Sequence, residues 1–194
     1  FVAVGAAAKK TFRLDGHNPK TGPQVLPALE FLARFNANSA SLNLGRHVAV
    51  LGAGNTAMDA ARTALRLPGV KTVNVLYRRT EKEMPAYREE YKMALADKVS
   101  FHFQLNPEQV TDDGRLVCRV MKLGEPDGTG RRRPEPTEDL REFAFDTLIT
   151  AIGEDIDRDL LQRLGIDKSS PAIPESQSER IFLAGDANIG PSSI

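Results

Sequence analysis

Apolar and polar positions change rhythm several times along the chain, and each change marks an element. The opening FVAVGAAAKK reads as a buried strand ending at Gly5, with nothing before it to pair with, so the chain is expected to be a piece of a larger protein. A polar stretch, FRLDGHNPKTGPQV, then leads into VLPALEFLARFN, where Leu26, Leu29, Phe31, Leu32 and Phe35 recur at helical spacing. Residues Asn36 to Gly45 read as a linker. From His47 the pattern becomes an alternation of strand and helix. HVAVLGAG is a fully apolar strand, Asn55 to Leu67 an Ala-rich helix stopped by Pro68 and Gly69, and KTVNVLYRR the next strand. PAYREEYKMALADK is a helix with Pro85 near its start, and VSFHFQL is a third strand.

The alternation breaks between Val110 and Phe145. GRLVCRVMKLG and LREFAF have the rhythm of antiparallel strands with a turn at Asp127-Gly128, so a β-meander replaces the expected crossover helix, and GRRRPEP is read as an exposed loop. FDTLITAIG and RIFLAGD return to buried strands ending at Gly153 and Gly185, with LLQRLGI as a short helix between them. The fold class expected is therefore α/β, half of a doubly wound parallel sheet interrupted by a meander.

Composition narrows the chemistry. Lys plus Arg and Asp plus Glu number 26 each, so there is no net basic field to draw nucleic acid or an anionic membrane, and any phosphate recognition must be local. No apolar run is long enough to span a bilayer and no signal peptide opens the chain, which leads to the expectation of a cytoplasmic protein. Cys118 is the single cysteine, excluding an internal disulfide, a CxxC redox pair or a four-cysteine iron-sulfur or zinc site within these 194 residues. His17, His47 and His102 lie far apart without ligand spacing, so no metal site is expected.

One stretch carries chemistry. In VLGAGNTAMD the spacing Gly52-x-Gly54-x-x-Ala57 follows a strand, opens a helix and sits inside a βαβ unit, the arrangement of a dinucleotide fingerprint. Gly52 permits the tight turn, Ala53 completes it, Gly54 leaves room for a pyrophosphate, and Ala57 lets helix and strand approach. The N–H groups near Asn55 and Thr56, with the helix dipole behind them, favour an anion. Where the second strand ends, an NAD-binding domain would carry a carboxylate for the adenine ribose; here Tyr77 is followed by Arg78 and Arg79. Guanidinium groups offer charge-assisted hydrogen bonds to a 2′-phosphate, so NADP(H) is favoured over NAD(H).

Taken together, GAGNTAMDAARTALRLPGVKTVNVLYRRTEKEMPAYREE, LGEPDGTGRRRPEP and the closing FDTLITAIGE with RIFLAGD resemble the small subunit of glutamate synthase and the flavin and NADPH half of dihydropyrimidine dehydrogenase. NPKTGPQVLPALEFL is most similar to the iron-sulfur flavoprotein subunit assigned to selenate reductase. The resemblance implies a Rossmann-like NADP(H) domain, residues 45–153, inserted in an FAD domain of which residues 1–44 and 154–194 are partial arms. It implies that NADPH gives a hydride to FAD, which passes electrons to iron-sulfur clusters in other domains or subunits. Ala151, Ile152 and Gly153 match the strand end beside the nicotinamide, and Gly185 with Asp186 matches the FAD-contacting turn. A second glycine fingerprint and cluster cysteines do not occur here, so FAD is expected to bind this piece poorly. Hydride transfer needs no protein acid or base, and no catalytic residue is assigned, Glu81 to Pro85 included. The rival readings are a stand-alone dehydrogenase, for which no substrate domain remains, and a regulatory module with a vestigial nucleotide site, against which the intact glycines argue.

Overall fold

A computed structural model describes residues 8–10, 12–126, 132–155, 157–165 and 185. Along the chain these form strands β1 (Ala8–Lys9) and β2 (Gln24–Pro27), helix α1 (Ala28–Asn38), β3 (His47–Leu51), α2 (Asn55–Leu65) and β4 (Thr72–Tyr77). There follow α3 (Arg88–Ala96), β5 (Ser100–Phe103), β6 (Leu105–Val110), β7 (Arg115–Pro126), β8 (Arg132–Ala144), β9 (Thr147–Thr150), β10 (Glu154–Asp155) and α4 (Arg158–Arg163). Two single-turn 3₁₀ helices lie at Ser39–Ser41 and Glu81–Glu83.

The chain divides into two compact units, residues 12–152 and residues 1–11 with 153–194. In the larger unit a five-stranded sheet runs β2-β9-β3-β4-β5, and every pairing in it is parallel. Side chains alternate across each strand, so the two faces of the sheet build separate cores. Val48 and Val50 of β3, with Val73 and Val75 of β4, pack beneath Ala57, Ala61 and Ala64 of α2 and Phe31 of α1. Ala49 and Leu51 face the other way, onto Leu105, Leu116 and Cys118. That second layer is the antiparallel sheet β6-β7-β8, so the parallel sheet is covered by helices on one face and by strands on the other. The absence of alternation in HVAVL follows: a strand buried on both faces has no polar side.

Several boundaries differ from the sequence expectation. Leu26 belongs to a strand, because Pro27 stands in extended conformation as the cap of α1 and the helix begins only after it. The residues read as a linker include the last turn of α1, a 3₁₀ turn and the buried Leu44. The apolar run VSFHFQL is not one strand, since Gln104 at φ 56° turns the chain out of the parallel sheet into the meander, which thus starts at Leu105. Pro85 precedes α3 rather than opening it. Arg132 to Pro136 are strand, not loop: β8 pairs with β7 along its length, and as the edge strand it tolerates Pro134 and Pro136. Residues 12–44, expected as an arm and linker, pack into the larger unit, because β2 adds itself to β9.

The smaller unit contains the antiparallel pair β1-β10 and α4, whose first turn is capped by Asp157 accepting from the Leu160 N–H. The expected opening strand, the meander turn at Asp127-Gly128 and RIFLAGD, apart from Gly185, lie outside the described residues.

Candidate functional site

The carboxyl ends of β3, β4 and β9 meet at the glycine turn. Gly52 has φ 124°, a conformation closed to side chains, and donates its N–H to the Leu76 carbonyl at 3.0 Å. A β-carbon there would collide with the carbonyl oxygen of Ala151, which itself donates its N–H to Leu51 O at 2.7 Å. Gly52 is therefore demanded by the protein. Ala53 is buried and its carbonyl accepts from the Ala86 N–H at 3.1 Å.

Gly54 is different. It is extended, with φ −89° and ψ 178°, and among the described residues a β-carbon built on it would meet only Pro85 Cγ, at 4.0 Å. The protein has room for a side chain where the sequence has none. Gly54 is also the N-cap of α2, and no side chain caps that helix or places an acid in its first turn. An uncapped helix start whose N–H groups face an open cradle suits a phosphate, so these residues fit a dinucleotide. Thr56 is half-buried beside it, and Ala57, fully buried, brings α2 down onto the sheet. Asn55 also serves the neighbouring helix, since its side-chain oxygen accepts from the Tyr87 N–H at 2.8 Å and so caps α3 from outside.

Arg78 and Arg79 leave the end of β4 one strand away. Arg78 is exposed and, among the described residues, its side chain has no partner. Arg79 is half-buried, and its Nε donates to the carbonyl of Arg132 at 3.1 Å. The chain then turns through Glu81–Glu83, closed by a reciprocal capping box in which the Glu83 carboxylate accepts from the hydroxyl and backbone N–H of Thr80. The Thr80 hydrogen bond holds the Glu83 carboxyl pKa below its ordinary value, helped by the Arg132 charge. This turn borders a groove of about 750 Å³ whose lining includes Met84, Arg88, Tyr91, Leu123 and Arg132.

The structure thus gathers Gly52, Ala53, Gly54, Asn55, Thr56, Ala57, Ala151 and Ile152 at the carboxyl end of the parallel sheet, with Arg78 and Arg79 on the adjoining strand end. Ala151 acquires a definite role there, as the backbone against which the turn closes. Gly153, at φ 83°, and Gly185, at φ 62°, belong to the other unit, and Asp186 lies outside the described residues. Sequence reasoning missed Arg132, which reaches the site only through the meander, and Gln104, at the turn that leads into it. The capping box was visible as Thr80-x-x-Glu83. Cys118 is buried, and burial pushes its thiol up to about 12, so it stays a protonated thiol within the core. Among the described residues no cluster could hold a metal, and no helix is long and apolar enough to cross a membrane.

Comparison with known proteins agrees with this fold. A family model for pyridine nucleotide-disulphide oxidoreductases matches residues 1–193. The protein YgfK of Escherichia coli O157:H7 is 47% identical over 199 residues, covering the whole of this chain and 19% of that protein. The NADPH glutamate synthase small chain of Halomonas elongata is 36% identical over 158 residues, covering 73% of this chain and 33% of its own. The chain thus spans about a fifth to a third of the length of these curated relatives. Among solved structures, a mutant of FprA from Mycobacterium tuberculosis superposes with TM-score 0.74 at 19% identity, over 99% of this chain and 58% of that one, a likeness of fold.

Proposed function

The chain belongs to the pyridine nucleotide-disulphide oxidoreductase family, and from that premise we propose that residues 12–152 form its NADP(H)-binding domain. The observation that carries the reading is Gly54, a glycine with room for a side chain at the uncapped start of α2. Gly52, Ala53, Gly54, Asn55, Thr56 and Ala57 receive the pyrophosphate, chiefly through backbone N–H groups. Arg78 and Arg79 receive the 2′-phosphate of the adenosine end. Ala151, Ile152 and Gly153 adjoin the nicotinamide half, while Gly185 and Asp186 serve the FAD of the whole protein. Bound NADPH supplies a hydride for a flavin. In the whole protein a flavin would accept that hydride and iron-sulfur centres in other domains or subunits would supply the onward one-electron chemistry. The protein's part is to bind, orient and select the cofactor, and it acts in the cytoplasm. The name of the glutamate synthase relative, which specifies NADPH, supports the choice of cofactor.

The test is selectivity. A charge-assisted hydrogen bond contributes roughly 1.5 to 3 kcal/mol, so NADPH should bind at least about tenfold more tightly than NADH. The Arg78→Ala, Arg79→Ala double variant should lose most of that gap by weakening NADPH alone. Calorimetric titration of both cofactors against both proteins measures it. Equal affinities in the wild type, or a variant that weakens both cofactors alike, would overturn the assignment, and binding of neither cofactor would favour a module without a working nucleotide site.

A further inference from the structure

Adjacent arginines at a strand end look interchangeable in sequence, yet these two have different surroundings. Arg79 is held by two bonds, one from the meander and one from the turn that leads into it. Its Nε donates to Arg132 O at 3.1 Å, and its own carbonyl accepts from Gln104 N at 3.0 Å. Gln104 is itself tied to β7, exchanging backbone and side-chain bonds with Met121 at 2.8 and 3.1 Å. Arg132 in turn folds its guanidinium across the hairpin onto the carbonyls of Leu123 and Gly124, both at 2.9 Å. The carbonyl that receives Arg79 is therefore held both by the strand pairing of Arg132 opposite Pro126 and by the side chain of the residue that owns it. Arg78 has no such anchor among the described residues.

We propose that Arg132 is a positioning residue for cofactor selection: through its carbonyl the β7–β8 hairpin holds Arg79 in one orientation, making Arg79 the prepared 2′-phosphate reader and Arg78 an adjustable second charge. This rests on the reading of the arginine pair given above and extends it to the meander. A guanidinium has five N–H donors in a planar fork. With Nε engaged by Arg132 O, the two terminal nitrogens remain as a pair, the edge that takes two oxygens of one phosphate. A side chain already ordered loses less freedom on binding than a loose one, so the anchor raises affinity for the phosphorylated cofactor without touching it. NADH, lacking the 2′-phosphate, gains nothing from the same anchor. A meander in the place of a crossover helix thus has a use at the site, through the Arg132 carbonyl that receives Arg79.

The inference is tested in the full-length protein by measuring dissociation constants for NADPH and NADH in wild type, Arg132→Ala, Arg79→Ala and the Arg79→Ala, Arg132→Ala pair. Arg132→Ala should weaken NADPH about three- to tenfold, the usual effect of releasing one ordered side chain, and change NADH by less than about twofold. In the Arg79→Ala background the same substitution should have almost no further effect on NADPH, because Arg132 acts through Arg79. Arg132→Lys, which keeps the charge and the strand but reaches fewer carbonyls, should give a smaller loss and serves if the alanine variant does not fold. Equal loss for both cofactors, an undiminished loss in the Arg79→Ala background, or an unchanged NADPH preference in a folded Arg132 variant would each overturn the inference while leaving the arginine assignment standing. A wild type without NADPH preference would remove that assignment and this inference with it.

Discussion

Two glycines separated by one residue answer to different constraints. At Gly52 the backbone sits at φ 124° with the Ala151 carbonyl in the place of a β-carbon, so the constraint is internal. Gly52→Ala should cost at least about 1 to 3 kcal/mol from backbone strain alone, and more from the collision. For a chain of this size that corresponds to a melting temperature lower by roughly 2 to 12 °C, read by differential scanning calorimetry. Gly54 lies in an ordinary extended conformation, with Pro85 Cγ at 4.0 Å as the only neighbour a β-carbon would meet among the described residues. Gly54→Ala should therefore leave the melting temperature within about 2 °C of wild type and lower NADPH affinity severalfold. If Gly54→Ala destabilises as much as Gly52→Ala, both glycines are packing residues and Gly54 no longer marks a cradle. The fingerprint spacing was plain in the sequence, but the division of labour within it was not, because it depends on which atoms of β9 and of the Pro85 loop arrive beside each position.

The helices depend on one another for their ends. Neither α2 nor α3 is capped by a side chain at its own N-cap; Asn55, at the start of α2, supplies the acceptor for Tyr87 at the start of α3. Further along, Arg62 of α2 bonds Asp97 at 2.8 Å and Glu90 at 3.3 Å, and these carboxylates keep its guanidinium firmly charged. Asn55→Ala would leave the Tyr87 N–H without its partner, a loss of about 1 kcal/mol by comparison with other helix caps. Asn55→Asp, which retains an acceptor oxygen, should recover most of it. Urea unfolding midpoints distinguish the two; equal midpoints for both variants would mean that water replaces the cap at no cost. The two helices were legible from apolar spacing, and the start of α3 was misjudged by a few residues. Local propensity sets where a helix can run, whereas its first residue is set by the partner that satisfies its free N–H groups.

At the scale of the molecule, the parallel sheet is closed on both faces within residues 12–152: α1, α2 and α3 cover one side, and β6-β7-β8 the other. A sheet of apolar strands covered on one face only would leave Ala49, Leu51, Leu76 and Leu148 in water. The meander is thus structural before it is functional. Residues 12–152 alone should accordingly fold with a single cooperative calorimetric transition and retain NADPH binding, whereas a version beginning at Gly45 should be markedly less stable, since it loses β2, α1 and the buried Phe31. Equal stability of the two would restore the boundary near residue 45 that the composition of the linker suggested.

Local and short-range features of the sequence determined the strands at His47–Leu51 and Thr72–Tyr77, the helix between them, the glycine turn and the arginines after the second strand. Each is encoded by spacing, propensity or charge within one short window of the chain, and so could be read without a partner. The tertiary structure alone decided what lies against that window. It put β9 beside β3, so that a carbonyl of Ala151 demands Gly52; it added β2 at the edge, drawing residues 12–44 into the larger unit; and it brought the β7–β8 hairpin back to Arg79. These contacts join residues far apart in the chain, and their register is set by burial on two faces of one sheet, a condition no single segment can express.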